Sequence, residues 1–175
     1  ADENVLEAIR KHERHRTVNG FDEHVIVGNL PGSQANAGHR YPVGQFEDQN
    51  RKFLGEPLVQ LCSTIQIPDF TYKQLTDRVR TVDVIWFNER TMPNSFFEVE
   101  HSTDIQNSVA KFCDLQDFSS RFVIVAPQNR KAQFDKVMER TVFKDFKARV
   151  MFCSYENIIK QYELMCAAQK IGGLL

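Results

Sequence analysis

Residues 83–118 read DVIWF (Asp83–Phe87), NERTMPNS (Asn88–Ser95) and FFEVEHSTDIQNSVAKFCDLQDF (Phe96–Phe118), and the fold turns on this stretch. Asp83 stands at one apolar run, and Glu98 and Glu100 alternate along the next. Successive side chains of a strand face opposite sides, so Glu98 and Glu100 share one face while Phe97, Val99 and His101 share the other. Asp83 has the parity of Ile85 and Phe87. The charged, proline-containing segment Asn88–Asn94 is expected to join the two runs as a hairpin. Pairing in the natural register then brings Asp83 towards Glu98 and Glu100. Three carboxylates gathered in this way repel one another unless a cation neutralises them. All-oxygen ligation suits Mg2+ or Mn2+. The competing reading is a half-wet strand, with Phe97 and Val99 turned inward and both glutamates in solvent.

Downstream of the hairpin, Ser102 or Thr103 is expected to cap a helix whose Ile105, Val109, Phe112 and Cys113 fall at i, i+4, i+7 and i+8. Phe122–Ala126 (FVIVA) is wholly apolar, as in a central strand buried on both faces. Pro127 is expected to open a helix carrying Phe134, Val137 and Met138. Val150–Ser154 predicts another strand, and Tyr155–Ala168 a last helix. Alternation of this kind implies an α/β fold, a mixed central sheet flanked by helices.

Upstream the signals are weaker. Asn4–Arg16 predicts a short helix, in which His12 and His15 lack an evident third metal ligand and read as surface histidines. Val25–Val27 predicts a short strand. Gly28–Gly44 reads as a loop on its turn residues, without the glycine spacing and terminal Lys-Ser/Thr of a phosphate-binding loop. Gln45–Leu54 suggests a helix ended by Gly55 and Pro57. Val59, Leu61, Ile65 and Ile67 share the parity of a strand that Pro68 closes. Thr71–Arg80 is polar and weakly patterned. Residues 61–170 are expected to form the core, with residues 1–60 as an appendage of the same globule.

The chain has 175 residues, a net charge of -1 and 14 phenylalanines, enough for a sizeable core and too little positive charge for a globally basic nucleic-acid binder. Its four cysteines form no CxxC pair, so free thiols, a reducing compartment and a cytoplasmic location are expected. The sequence contains neither a run of about 18 apolar residues nor a signal peptide, so no membrane is expected. Positive charge is concentrated locally, with eight Lys or Arg against three acids between residues 121 and 149. A solvated surface is the commoner meaning of such a run, and contact with a phosphate backbone the alternative.

The order of elements and acids resembles the PD-(D/E)XK nuclease superfamily, the restriction-endonuclease-like fold, across residues 70–165. The resemblance rests on Asp83, on Glu98 fifteen residues later, on Glu98-Val99-Glu100 and on the succession helix, strand, helix, strand. It implies a metal-dependent endonuclease of a restriction or defence system, with DNA as partner and Mg2+ or Mn2+ as cofactor. Asp83 matches the family aspartate, Glu98 the first residue of the (D/E)XK element, and Glu100 its lysine position, giving an ExE version. Two departures stand out: Val82 occupies the position of the motif proline, and Glu100 replaces the lysine. An acid at Glu100 cannot act as a cation, so a second metal would have to replace the charge. Gln106 and Lys111, on the helix that follows, have two readings. A solvated helix face is favoured, and an accessory role is the alternative, Lys111 acting as a displaced substitute for the motif lysine. Arg78 and Arg80, just before Asp83, are the expected contacts to the DNA backbone. By analogy, double-strand cutting implies a homodimer or a larger restriction assembly. A catalytically inactive nucleic-acid-binding or assembly module with the same fold is the alternative that the Glu100 departure leaves open.

Overall fold

The computed structural model describes residues 67–88, 90–158 and 160, together with the backbone pairs 43–44, 52–53 and 56–57. In chain order these form β1 (Val43–Gly44), β2 (Lys52–Phe53), β3 (Glu56–Pro57), α1 (Lys73–Val79), β4 (Val84–Phe87), β5 (Pro93–Val99), α2 (Ile105–Cys113), β6 (Arg121–Ala126), α3 (Lys131–Met138) and β7 (Val150–Ser154). Residues 155–158 then enter a further helix.

Five strands make one mixed sheet in the order β1-β4-β5-β6-β7. The antiparallel pair β4/β5 is set by a tight connection. Asn88 Oδ1 accepts the backbone N–H groups of Arg90 (3.0 Å) and Met92 (3.1 Å). These bonds hold Thr91 at φ 59°, a left-handed conformation uncommon for a residue with a Cβ. The resulting register pairs Val84 with Phe97 and Ile85 with Phe96. β5/β6 and β6/β7 are parallel. Parallel neighbours require crossovers, and α2 and α3 supply them.

Strand parity divides the interior. Ile85, Phe87, Phe96, Phe122 and Ile124 pack with Val79 of α1, with Ile105, Val109 and Phe112 of α2 and with Phe134, Val137 and Met138 of α3. On the opposite face Val84, Phe97, Val99, Val123 and Val125 pack with Ile158. β6 lies between two partner strands and under both layers, which explains its unbroken apolar run. Phenylalanine does much of the filling. The Phe122 ring lies 5.5 Å from Phe96, 5.2 Å from Phe112 and 5.0 Å from Phe146, centroid to centroid. Such aromatic pairs contribute about 0.5–1.5 kcal/mol each beyond area burial.

The expected mixed sheet flanked by helices is therefore observed, with local corrections. Residues 52–53 are a strand paired with residues 56–57, where a helix over Gln45–Leu54 was expected. Val43 and Gly44, the end of the expected loop, pair with Trp86 and Ile85. Thr71–Arg80, too weakly patterned to assign, contains α1, which buries Thr76 and Val79. Ile67 lies outside any strand. β4 starts at Val84, and Asp83, at the head of the DVIWF run, precedes it in a bend. α2 is capped by Asp104, whose carboxylate accepts the Gln106 N–H at 3.0 Å, in place of Ser102 or Thr103. Pro127 is followed by a 3-10 turn, Gln128–Arg130, before α3 begins. Cys113 and Cys153 are free and half-buried. The expected elements at Asn4–Arg16 and Val25–Val27, His12 and His15, and Cys62 and Cys166 lie outside the described residues.

Candidate active site

The site grows from β5. Phe96 sits in the α2-side core, and the period of two puts Glu98 and Glu100 on the same side, beneath α2. Glu98 is 2% exposed and Glu100 4%, so neither belongs to a wet strand face. Extending the Val84–Phe97 pairing by one step sets Asp83 opposite Glu98. Asp83 is fixed there because its Oδ2 accepts the Val99 backbone N–H at 2.7 Å.

Burying carboxylates is costly unless cations or hydrogen bonds compensate. The compensation for Glu98 comes from α2. Lys111 Nζ donates to its Oε1 at 3.0 Å and its Oε2 at 2.9 Å, and to the Thr81 carbonyl at 2.8 Å. One ammonium thus ties β5 to the turn that follows α1. Ser108, one helical turn before Lys111, donates to Glu98 Oε2 at 3.1 Å. The same hydroxyl touches Glu100 Oε1, and the Thr103 hydroxyl donates to Glu100 Oε2. Arg130 Nη1 stands 4.0 Å from Glu100 Oε2. Burial, with the negative charge of Asp83 added to it, pushes the Glu98 carboxyl up to about 8, and Lys111 and Ser108 offset only part of that rise. Burial of Glu98 is thus only partly compensated by its neighbours.

Asp83, Glu98, Glu100 and Lys111 come together within this network. The solvated face favoured for Lys111 is corrected, since its side chain is 23% exposed and bonded inward. Gln106 contributes its backbone N–H to the Asp104 cap. Arg78 is ion-paired with Asp114 at 2.5 Å, and Arg80 lies 4.0 Å from Asp77 on the exposed side of α1. His101 stacks on Tyr155, with ring centroids 6.3 Å apart, away from Glu100 as its parity requires. Ser108, Thr103 and Arg130 are site residues that sequence reading missed. For Ser108 a signal exists, a lone hydroxyl within the stripe Ile105, Val109, Phe112. For Arg130 there is none, because it reaches back from beyond β6, and Thr103, three residues from Glu100, reads in the sequence as a helix cap. Two of the eight cations between residues 121 and 149 are structural. Arg130 bonds to backbone carbonyls, and Arg149 bonds to the Gln116 and Phe118 carbonyls.

Residues 46–175 match the family model described as Type II restriction enzyme NmeDI C-terminal domain. The chain belongs to this family. A relative, the Type II restriction enzyme NmeDI of Neisseria meningitidis serogroup C, is 28% identical over 95 residues, which cover 51% of this chain and 26% of the relative. The chain thus spans about a quarter of that relative's length. No solved structure matches the chain. The NmeDI C-terminal family match takes in all of β4, β5 and α2, and with them every residue of the carboxylate network. No helix among the described residues is long and apolar enough to cross a membrane. Among those residues, no group of three or more His, Cys, Asp or Glu side chains converges as a cage for a metal ion.

Proposed function

We propose that this chain is the DNA-cleaving part of a restriction or defence enzyme, a metal-dependent endonuclease that hydrolyses phosphodiester bonds at Asp83, Glu98 and Glu100. One observation carries the reading. In a chain of a restriction-enzyme family, a 2%-exposed glutamate lies opposite an aspartate and is gripped by a lysine from the next helix. Carboxylates are expensive to bury, and a buried carboxyl with a strongly raised pKa beside a charged partner is a recognised mark of functional sites.

The donor chemistry fits a hard divalent ion. Asp83 and Glu98 offer oxygen ligands only, and the Glu98 pKa is raised first by burial and then by the charge of Asp83, both of which a bound cation would offset. Mg2+ or Mn2+ bound there would polarise the phosphate and lower the pKa of the attacking water. The chain's own residues have distinct tasks. Asp83, locked by the Val99 N–H, and Glu98 present the ligands. Lys111 holds Glu98 in place and supplies the positive charge that Glu100 cannot. Glu100, anchored by Ser108 and Thr103, is the third acid and faces the attacking water. Hydrolysis adds water across the P–O3′ bond and leaves a 5′-phosphate and a 3′-hydroxyl. Arg80, exposed beside the Lys111-bonded turn, is the favoured backbone contact, with Arg78 as the second. A pair of cuts on opposite strands would need a homodimer or a larger assembly, in keeping with a cytoplasmic defence role.

A second reading has its own support. The carboxylates are bonded to Lys111, Ser108, Thr103 and Val99, and no three-acid cage exists among the described residues, which suits an inactive nucleic-acid-binding module. Incubation of supercoiled and linear DNA with the protein and Mg2+ or Mn2+ separates the two. Metal-dependent cutting that Asp83→Asn abolishes supports the nuclease. DNA binding without cutting, unchanged by that substitution, supports the module.

A further inference from the structure

The turn between β5 and α2 is held from a distance. Arg130 ends the 3-10 turn after β6, and its side chain is only 14% exposed. Its Nη1 donates to the Glu100 carbonyl at 2.6 Å and its Nη2 to the Thr103 carbonyl, also at 2.6 Å. Gln133, one turn later, accepts from Nε at 3.1 Å and from Nη2 at 2.8 Å, which fixes the plane of the guanidinium. The Glu100 N–H is held in turn by the Val125 carbonyl at 2.8 Å. One planar group thus fastens both ends of the segment that leads from the acidic strand into the helix carrying Ser108 and Lys111.

We propose that Arg130 is the positioning residue of the site, a clamp on the Glu100–Thr103 turn that sets where Glu100, Ser108 and Lys111 stand relative to Glu98. Its reach to two carbonyls needs a planar fork, which lysine lacks. The clamp also places a cation 4.0 Å from Glu100, so the two buried glutamates each have a cationic neighbour from a different element. Gln133 matters as a buttress. This inference rests on the nuclease reading only for its catalytic readout, because the clamp itself is a matter of backbone geometry.

Arg130→Lys and Gln133→Ala, with Arg130→Ala as the harsher variant, test it by amide hydrogen exchange, with cleavage rates where cleavage occurs. Arg130→Lys is expected to speed exchange in residues 100–108 roughly ten- to a hundredfold relative to β6 and β7, and Gln133→Ala less. In cleavage assays Arg130→Lys should lower kcat and leave the KM for DNA within about twofold, as a group that positions chemistry rather than binds substrate does. Exchange that stays unchanged in residues 100–108, or that rises equally throughout the sheet, overturns the clamp. A raised KM with unchanged kcat also overturns it, assigning Arg130 to the DNA backbone. If the unsubstituted protein does not cut DNA, the nuclease reading falls and the exchange comparison still decides the clamp. If Arg130→Ala fails to fold, Gln133→Ala and Arg130→Lys supply the same comparison.

Discussion

The two faces of β5 are equally closed to solvent, but they are closed by different means. On one, Phe97 and Val99 pack with Val84, Val123, Val125 and Ile158, and shape and area suffice. On the other, Glu98 and Glu100 are closed off by Lys111, Ser108, Thr103 and Arg130. The second arrangement is the more demanding way to fill a core. Replacing a buried ion pair with apolar residues of similar volume is often neutral or stabilising, whereas removing one partner is strongly destabilising. Folding alone gives β5 no reason to prefer glutamate at positions 98 and 100. The proposed function accounts for the contrast by placing chemistry at the Glu98–Glu100 end of the α2-side face, next to the Phe96 core.

That assignment can be broken in several ways. The largest effect is expected from Asp83→Asn, which keeps a carbonyl to accept the Val99 N–H but removes a charge. Cleavage should fall by about 10³-fold or more while the thermal midpoint holds or rises. Next is Lys111→Met, which leaves Glu98 buried without its cation. A loss of about 3–5 kcal/mol is expected at pH 8, measured by denaturant unfolding, and a smaller one at pH 6, where Glu98 carries its proton. On the apolar face Val125→Ala should lose about 2 kcal/mol and leave divalent-ion affinity unaltered, which separates the two roles. The smallest effect belongs to Lys73→Ala on the exposed side of α1, where the pair with Asp77 is solvated. A change within about 0.5 kcal/mol is expected in the same unfolding experiment.

A pH scan sharpens the comparison from the electrostatic side. The Glu98 pKa is raised in the folded chain to about 8 from an ordinary 4.5, so the native state holds a proton that the unfolded state releases. Its contribution to stability is complete below about pH 4.5 and is lost as pH rises towards 8. Thermal midpoints should therefore decline across that window, and Glu98→Gln should flatten the decline. A wild-type midpoint that rises steadily from pH 5 to pH 8, with Glu98→Gln following the same course, would place the glutamate in a different environment.

Legibility in the sequence followed the strength of local pattern. β6 could be read from FVIVA because a strand covered on both faces has no room for polar residues. The shared face of Glu98 and Glu100 followed from a period of two, and the Asp83 approach from the hairpin. Lys111 was legible only as an alternative, since a lysine on an amphipathic helix usually faces water and its inward bond depends on where β5 lies. Arg130 left no local trace, because its partners are carbonyls brought to it by tertiary packing, while Thr103, three residues from Glu100, reads as a helix cap. The two-residue strands at 43–44 and 52–53 escaped for a related reason, as such short pairings carry no periodicity to detect.

The central claim is that the carboxylates Asp83 and Glu98 are there to hold a divalent cation. Calorimetric titration of the folded chain with Mn2+ at pH 8, for wild type, Asp83→Asn and Val125→Ala, tests it most directly. The account predicts one saturable site in the wild type, retained in Val125→Ala and weakened at least about tenfold in Asp83→Asn, as loss of a charged oxygen ligand requires. Absence of saturable binding in the wild type, or equal binding in all three proteins, would contradict it.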